Sequence, residues 1–84
     1  MLNPIDALIK ETEVQFERVY GHDDCLIGVS SCGMRLVYSA DKIIAQMMVR
    51  DKMSRMEAAE YFEYNIGGAY SGPNTPLFVF ALPS

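Results

Sequence analysis

The sequence predicts a single α+β domain spanning residues 1–84. Its element order is α-β-β-α-α-β, a small three-stranded antiparallel sheet with helices packed on one face. Three observations predict it. Apolar residues recur with helical spacing at the N-terminus and again between Ser39 and Ile66. Two short runs of strand formers, Cys25 to Ser30 and Met34 to Tyr38, flank a glycine-containing turn, Ser31-Cys32-Gly33. An uncharged run from Leu77 to Leu82, reading LFVFAL, lies near the C-terminus.

The first helix is expected from Pro4 to Tyr20. Asn3 suits the N-cap and Pro4 the first helical position, where a missing N–H costs nothing. Ile5, Leu8, Ile9, Phe16, Val19 and Tyr20 form its apolar stripe, and Gly21 suits the position past its end. In the hairpin, Gly33 can take positive φ, and Val29 is expected opposite Met34. The second helix starts at an N-cap Ser39, buries Ile43, Ile44, Met47 and Met48, and ends in Arg50-Asp51-Lys52.

The third helix has the sharpest start in the chain. Ser54 followed by Glu57 is a capping box. Met56, Ala59, Phe62, Asn65 and Ile66 are expected on its inward face, and Gly67-Gly68 loosens or ends it. Ser71 to Pro76 is a turn cluster. The run Leu77 to Leu82 is expected as a strand buried on both faces or central in the sheet.

Composition excludes several classes. No apolar run approaches the roughly 20 residues that span a bilayer. The opening MLNPIDALIKE lacks a basic region and an apolar core, so no signal peptide is expected and the location is expected to be cytoplasmic. Eleven acidic and seven basic residues leave a net charge of −4. That balance argues against direct nucleic-acid binding and suits a basic surface on another protein.

Three stretches carry a resemblance: DDCLIGVS from Asp23, RLVYSADKII from Arg35, and MSRMEAAEYFEYNIGGAYSGPNTPLFV from Met53. Together they resemble a group of small proteins encoded by bacteriophages and by bacterial genomes carrying mobile elements. The matching residues are Tyr38, Glu57, Ala58, Tyr61, Phe62, Asn65, Gly68, Ala69, Tyr70, Thr75, Pro76, Phe78 and Val79, within Asp23 to Val79. The resemblance implies a phage or prophage setting and supplies no catalytic residues. Small acidic phage proteins without cofactors commonly bind and block a host protein, anti-CRISPR and other anti-defence proteins among them.

The chemistry-bearing residues assemble no reaction centre. Cys25 and Cys32 match no zinc spacing, and a single histidine, His22, cannot readily complete a site. Cys25 reads as core and Cys32 as an exposed thiol with nothing adjacent in sequence to lower its pKa. His22-Asp23-Asp24 reads as a solvated connector, and Arg50, Lys52 and Arg55 as a small basic patch at the junction of helices. Gly67-Gly68 and Gly72 follow a helix and make no phosphate loop. No enzyme activity, catalytic residue, metal site or cofactor is expected.

The strongest functional signal is aromatic and acidic. Tyr61, Tyr64 and Tyr70, with Glu60 and Glu63, form the expected partner-binding set, suited to a basic patch on a host protein. Two alternatives differ in class. One is a homodimer that binds a small ligand or nucleotide, with Tyr64 and Tyr70 lining a pocket or the dimer seam. The other is an acidic nucleic-acid mimic, weakened by seven interspersed bases.

Overall fold

The computed structural model describes residues 4–68 and 72–82. The elements are α1 (Pro4–Thr12), a 3₁₀ turn (Asp23–Cys25), β1 (Leu26–Val29), β2 (Leu36–Ser39), α2 (Ala40–Arg50), α3 (Arg55–Phe62), a π-helical turn (Glu63–Gly67) and β3 (Leu77–Val79). This is the α+β class that the sequence predicts, with the strands in the order β1-β2-β3. The Asn3 cap lies outside the described residues.

The sheet is mixed instead of wholly antiparallel. β1 runs antiparallel to β2, but β2 and β3 are parallel, with Val37 opposite Leu77 and Tyr38 opposite Phe78. Between β2 and β3 the chain passes through α2 and α3, and a helical crossover is the connection that parallel neighbours require. β3 is therefore an edge strand and β2 the central one, reversing the expectation for Leu77 to Leu82. The strand also stops at Val79; Phe80 and Leu82 are exposed, and the Ala81 N–H donates to the Asp41 carboxylate at 2.7 Å.

The first helix is shorter than its apolar stripe suggests. It ends at Thr12, and Glu13 follows in the left-handed region at φ 61°. The Glu13 N–H closes on the Ile9 carbonyl at 2.7 Å, an αL cap. The Thr12 hydroxyl donates to the Leu8 carbonyl and accepts from the Val14 N–H, offering the backbone a local alternative to another helical turn. Residues 13–19 then run without regular structure, and Phe16 still reaches the core from that path.

The hairpin register shifts as well. Val29 pairs with Leu36, not Met34, and a bulge lies between Leu26 and Gly28. The loop is closed by Ser30 N–H to Arg35 C=O and Gly33 N–H to Ser30 C=O, with Gly33 at φ 76°. Two side chains tie this hairpin to the segment before β3: Arg35 Nε donates to the Thr75 carbonyl at 2.6 Å, and Asn74 Nδ2 to the Met34 carbonyl at 2.9 Å.

Helix starts follow the sequence. Ser39 caps α2 by accepting the Lys42 N–H. The capping box of α3 is complete: the Ser54 hydroxyl accepts the Glu57 N–H, and the Glu57 carboxylate accepts the Ser54 N–H. Beyond Phe62 the helix widens into a π turn that Gly68 closes by donating its N–H to the Glu63 carbonyl. A Cβ at Gly68 would stand 2.8 Å from that same oxygen, so the closure requires glycine.

The core gathers Ile5, Phe16, Cys25, Leu36, Tyr38, Ala40, Ile43, Ile44, Met47, Ala58 and Phe62. Leu36 and Tyr38 face it from β2, while the alternating Val37 and Ser39 are half-buried. Tyr38 is the largest fully buried side chain. Its ring stacks on Phe78 at 5.9 Å, Phe62 meets Phe78 edge-on at 5.2 Å, and its hydroxyl accepts the Val19 N–H at 3.1 Å. Burial pushes the Tyr38 phenol pKa up, and the Val19 N–H offsets part of that.

Tyr38→Phe keeps the ring and strands the Val19 N–H, so it is expected to destabilise the fold by about 1–3 kcal/mol, read as a shift in the urea midpoint. Acid should weaken the α3 start. The Ser54 backbone N–H and hydroxyl hold the Glu57 carboxyl below its ordinary range. A depressed folded-state value makes the contribution complete above the unfolded carboxylate pKa and removes it as pH falls through the folded value. The stability advantage of the native chain over Glu57→Gln should therefore shrink on acidification, as measured by urea unfolding at a series of pH values.

Candidate functional site

The outward side of α3 is built by its start. With the capping box fixing Ser54, Ala58 and Phe62 turn into the core one helical turn apart. The side chains left facing solvent are then Arg55, Met56, Glu57, Glu60 and Tyr61 on α3, with Glu63, Tyr64 and Asn65 on the π turn that follows. Glu60 stands opposite the buried face, with Met56 four residues before it and Tyr64 four residues after it. Such neighbours lie about 5–6 Å apart at Cβ on a helix surface. Tyr61 follows Glu57 at the same interval.

The aromatic side chains of this face are open. Tyr61 is 47% exposed and Tyr64 82% exposed. Met56, expected on the inward side, is 73% exposed and extends the face toward the start of the helix. Asn65 is expected inward as well. It is exposed, and its amide donates to the Tyr61 carbonyl at 3.2 Å, four residues back. Glu60, Tyr61, Glu63 and Tyr64 are each exposed to solvent. Tyr70 lies outside the described residues.

Met56, like Asn65, faces the opposite way from the sequence expectation. The signal was present: Met56, Ala58, Tyr61, Phe62 and Tyr64 are spread around the helix, more than one buried stripe can absorb. Which of them the core takes depends on where α2 lies.

Beside this face, Glu17, Arg18, Val19, Asn65, Ile66, Thr75, Pro76 and Phe78 line a cleft of about 210 Å³. That is below the roughly 300–1,000 Å³ of ordinary small-molecule sites. Arg18, half-buried at its edge, pairs with Asp6 at 3.3 Å and Asp23 at 3.2 Å, and its guanidinium lies 5.6 Å from the Tyr20 ring centroid. Burial works against the charge of Arg18, and Asp23 and Asp6 outweigh it, so its pKa is raised.

The remaining candidates have structural partners. His22 Nδ1 meets Gln46 Oε1 at 2.8 Å, Arg50 donates to the same oxygen and to the Gly21 carbonyl, and Gln46 donates to Asp24. This lattice fastens the connector to α2 and takes Arg50 out of the basic patch, leaving Lys52 and Arg55 exposed. Among the described residues no group of His, Cys, Asp and Glu is placed to hold a metal, and no helix is long and apolar enough to cross a membrane.

Cys32 departs from expectation. It is exposed at the hairpin tip, and its thiol pKa is lowered, first by Ser30 and then by the backbone at Met34. The residue responsible is two positions away: Ser30 Oγ lies 3.0 Å from Cys32 Sγ while accepting the Arg35 N–H, which leaves its own proton for the sulfur. Cys25 behaves oppositely; burial, then Asp24, pushes its thiol up.

Comparison with family models, with curated proteins and with solved structures gave no match.

Thiol labelling should separate the two cysteines. In the native protein near neutral pH one thiol, Cys32, is expected to react readily with a disulfide reagent, while Cys25 reacts only on unfolding. Ser30→Ala should slow Cys32 without exposing Cys25, followed by timed labelling and mass spectrometry.

Proposed function

We propose that this protein is a small non-enzymatic binding module of phage type that attaches to a host protein and blocks it. A component of an anti-phage defence system, such as a CRISPR effector, is the class of target. The observation that carries the reading is the exposure of Tyr61 on α3 and Tyr64 on the π turn after it, along a stretch that also exposes Glu60 and Glu63, with neither tyrosine serving the core. Ordering large rigid side chains at a surface is the arrangement that interfaces use, since tyrosine supplies contact area at low entropic cost. The carboxylates suit a target with a basic surface. Tyr70 belongs to the proposed set by sequence position. The likeness of Asp23 to Val79 to phage and prophage proteins supplies the setting, the cytoplasm of a bacterial host.

Expression in a bacterium with active CRISPR immunity tests this. The wild-type chain is expected to restore plaque formation by a targeted phage, and the Tyr61→Ala/Tyr64→Ala double variant to lose that effect while keeping its circular dichroism spectrum. Plaque counts unchanged by the wild-type chain across a panel of defence systems would overturn the defence reading. A double variant as active as wild type would overturn the assignment of the face.

A further inference from the structure

We infer that the α3 face recognises arginine: the partner presents an arginine-rich surface, and a guanidinium is taken between a glutamate and the tyrosine one helical turn beyond it. The inference rests on reading this face as a partner surface and specifies the partner's chemistry. Glu60 and Tyr64 are the principal pair, four residues apart and both exposed. Glu57 and Tyr61 repeat the spacing, although Glu57 also serves the capping box. Among the described residues neither Glu60 nor Glu63 enters an ion pair, so the acidic side of the contact stands ready.

The choice of arginine over lysine follows from shape. A guanidinium is planar, meets a carboxylate through two parallel N–H bonds and lays its face on an aromatic ring; an ammonium is a compact, strongly hydrated point charge. A carboxylate already favours the guanidinium through that paired contact, and a ring beside the carboxylate adds a stacking face that widens the preference. The same chemistry operates inside this molecule, where Asp6 and Asp23 hold the Arg18 guanidinium 5.6 Å from the Tyr20 ring centroid. Met56, four residues before Glu60, adds an adaptable apolar surface for the arginine stem. Phosphate-bearing partners are disfavoured because Glu57, Glu60 and Glu63 repel them.

Fluorescence anisotropy with the whole chain and two labelled peptides of equal length and charge, one built on arginine and one on lysine, decides the matter. The arginine peptide is expected to bind about three- to fivefold more tightly. Tyr61→Ala/Tyr64→Ala should reduce that preference to what the carboxylates alone give, and Glu60→Gln/Glu63→Gln should weaken both peptides. Equal affinity for the two peptides, a preference undiminished by loss of the tyrosines, or no binding of the arginine peptide would each overturn the inference. A captured partner that meets this face with lysines alone would overturn it too, while leaving the binding-module reading in place.

Discussion

The structure depends on one buried side chain, Tyr38. It sits on the central strand with no exposed surface, opposite Leu26 on β1 and Phe78 on β3. A phenol there has two requirements: its ring needs apolar neighbours, and its hydroxyl needs a partner. The ring is satisfied by Phe78, and through Phe78 by Phe62, which links the sheet to α3. The hydroxyl is satisfied by the Val19 N–H, which belongs to the irregular segment after α1. One residue thereby holds together the sheet, the crossover helices and the N-terminal arm. In a chain of this size, which buries only about 60–65% of its unfolded surface, such shared contacts matter more than in a large core.

That constraint also shapes the outer surface. Phe62 is committed inward because Phe78 stands beneath it, and Ala58 lies against α2 one turn earlier. With those two positions assigned, geometry leaves Met56, Glu60 and Tyr64 on the opposite side of α3. The apolar side chains on the solvent side follow from a helix that has more of them than one interface can use. The π turn that follows is closed at Gly68, where a side chain would collide with the Glu63 carbonyl. The double glycine thus bounds the π turn.

Legibility varied by type of signal. The capping box at Ser54 and Glu57 and the Ser39 cap were readable because a cap is satisfied within three residues. The end of α1 was not: its apolar stripe continues through Phe16 and Val19, and both residues do pack inward, but from an irregular path that Thr12 and Glu13 begin. Periodicity reports which residues are apolar, and several backbone paths can bury them. Cys32 shows the same limit at short range, since its activating hydroxyl comes from Ser30 across a turn whose closure on Arg35 depends on strand register.

By itself the sequence determined the α+β class, the positions of the hairpin and of α2 and α3, and the acidic–aromatic character of residues 57–64. These depend on local energetics: caps, turn residues, and the alternation or helical recurrence of apolar side chains. The tertiary structure alone decided that β3 runs parallel to β2 at the sheet edge, that Tyr38 is the centre of the core, and that Met56 faces water. Those outcomes depend on where distant segments meet. An uncharged run such as LFVFAL suits a central or an edge strand, and only the crossover through α2 and α3 sets its direction and place.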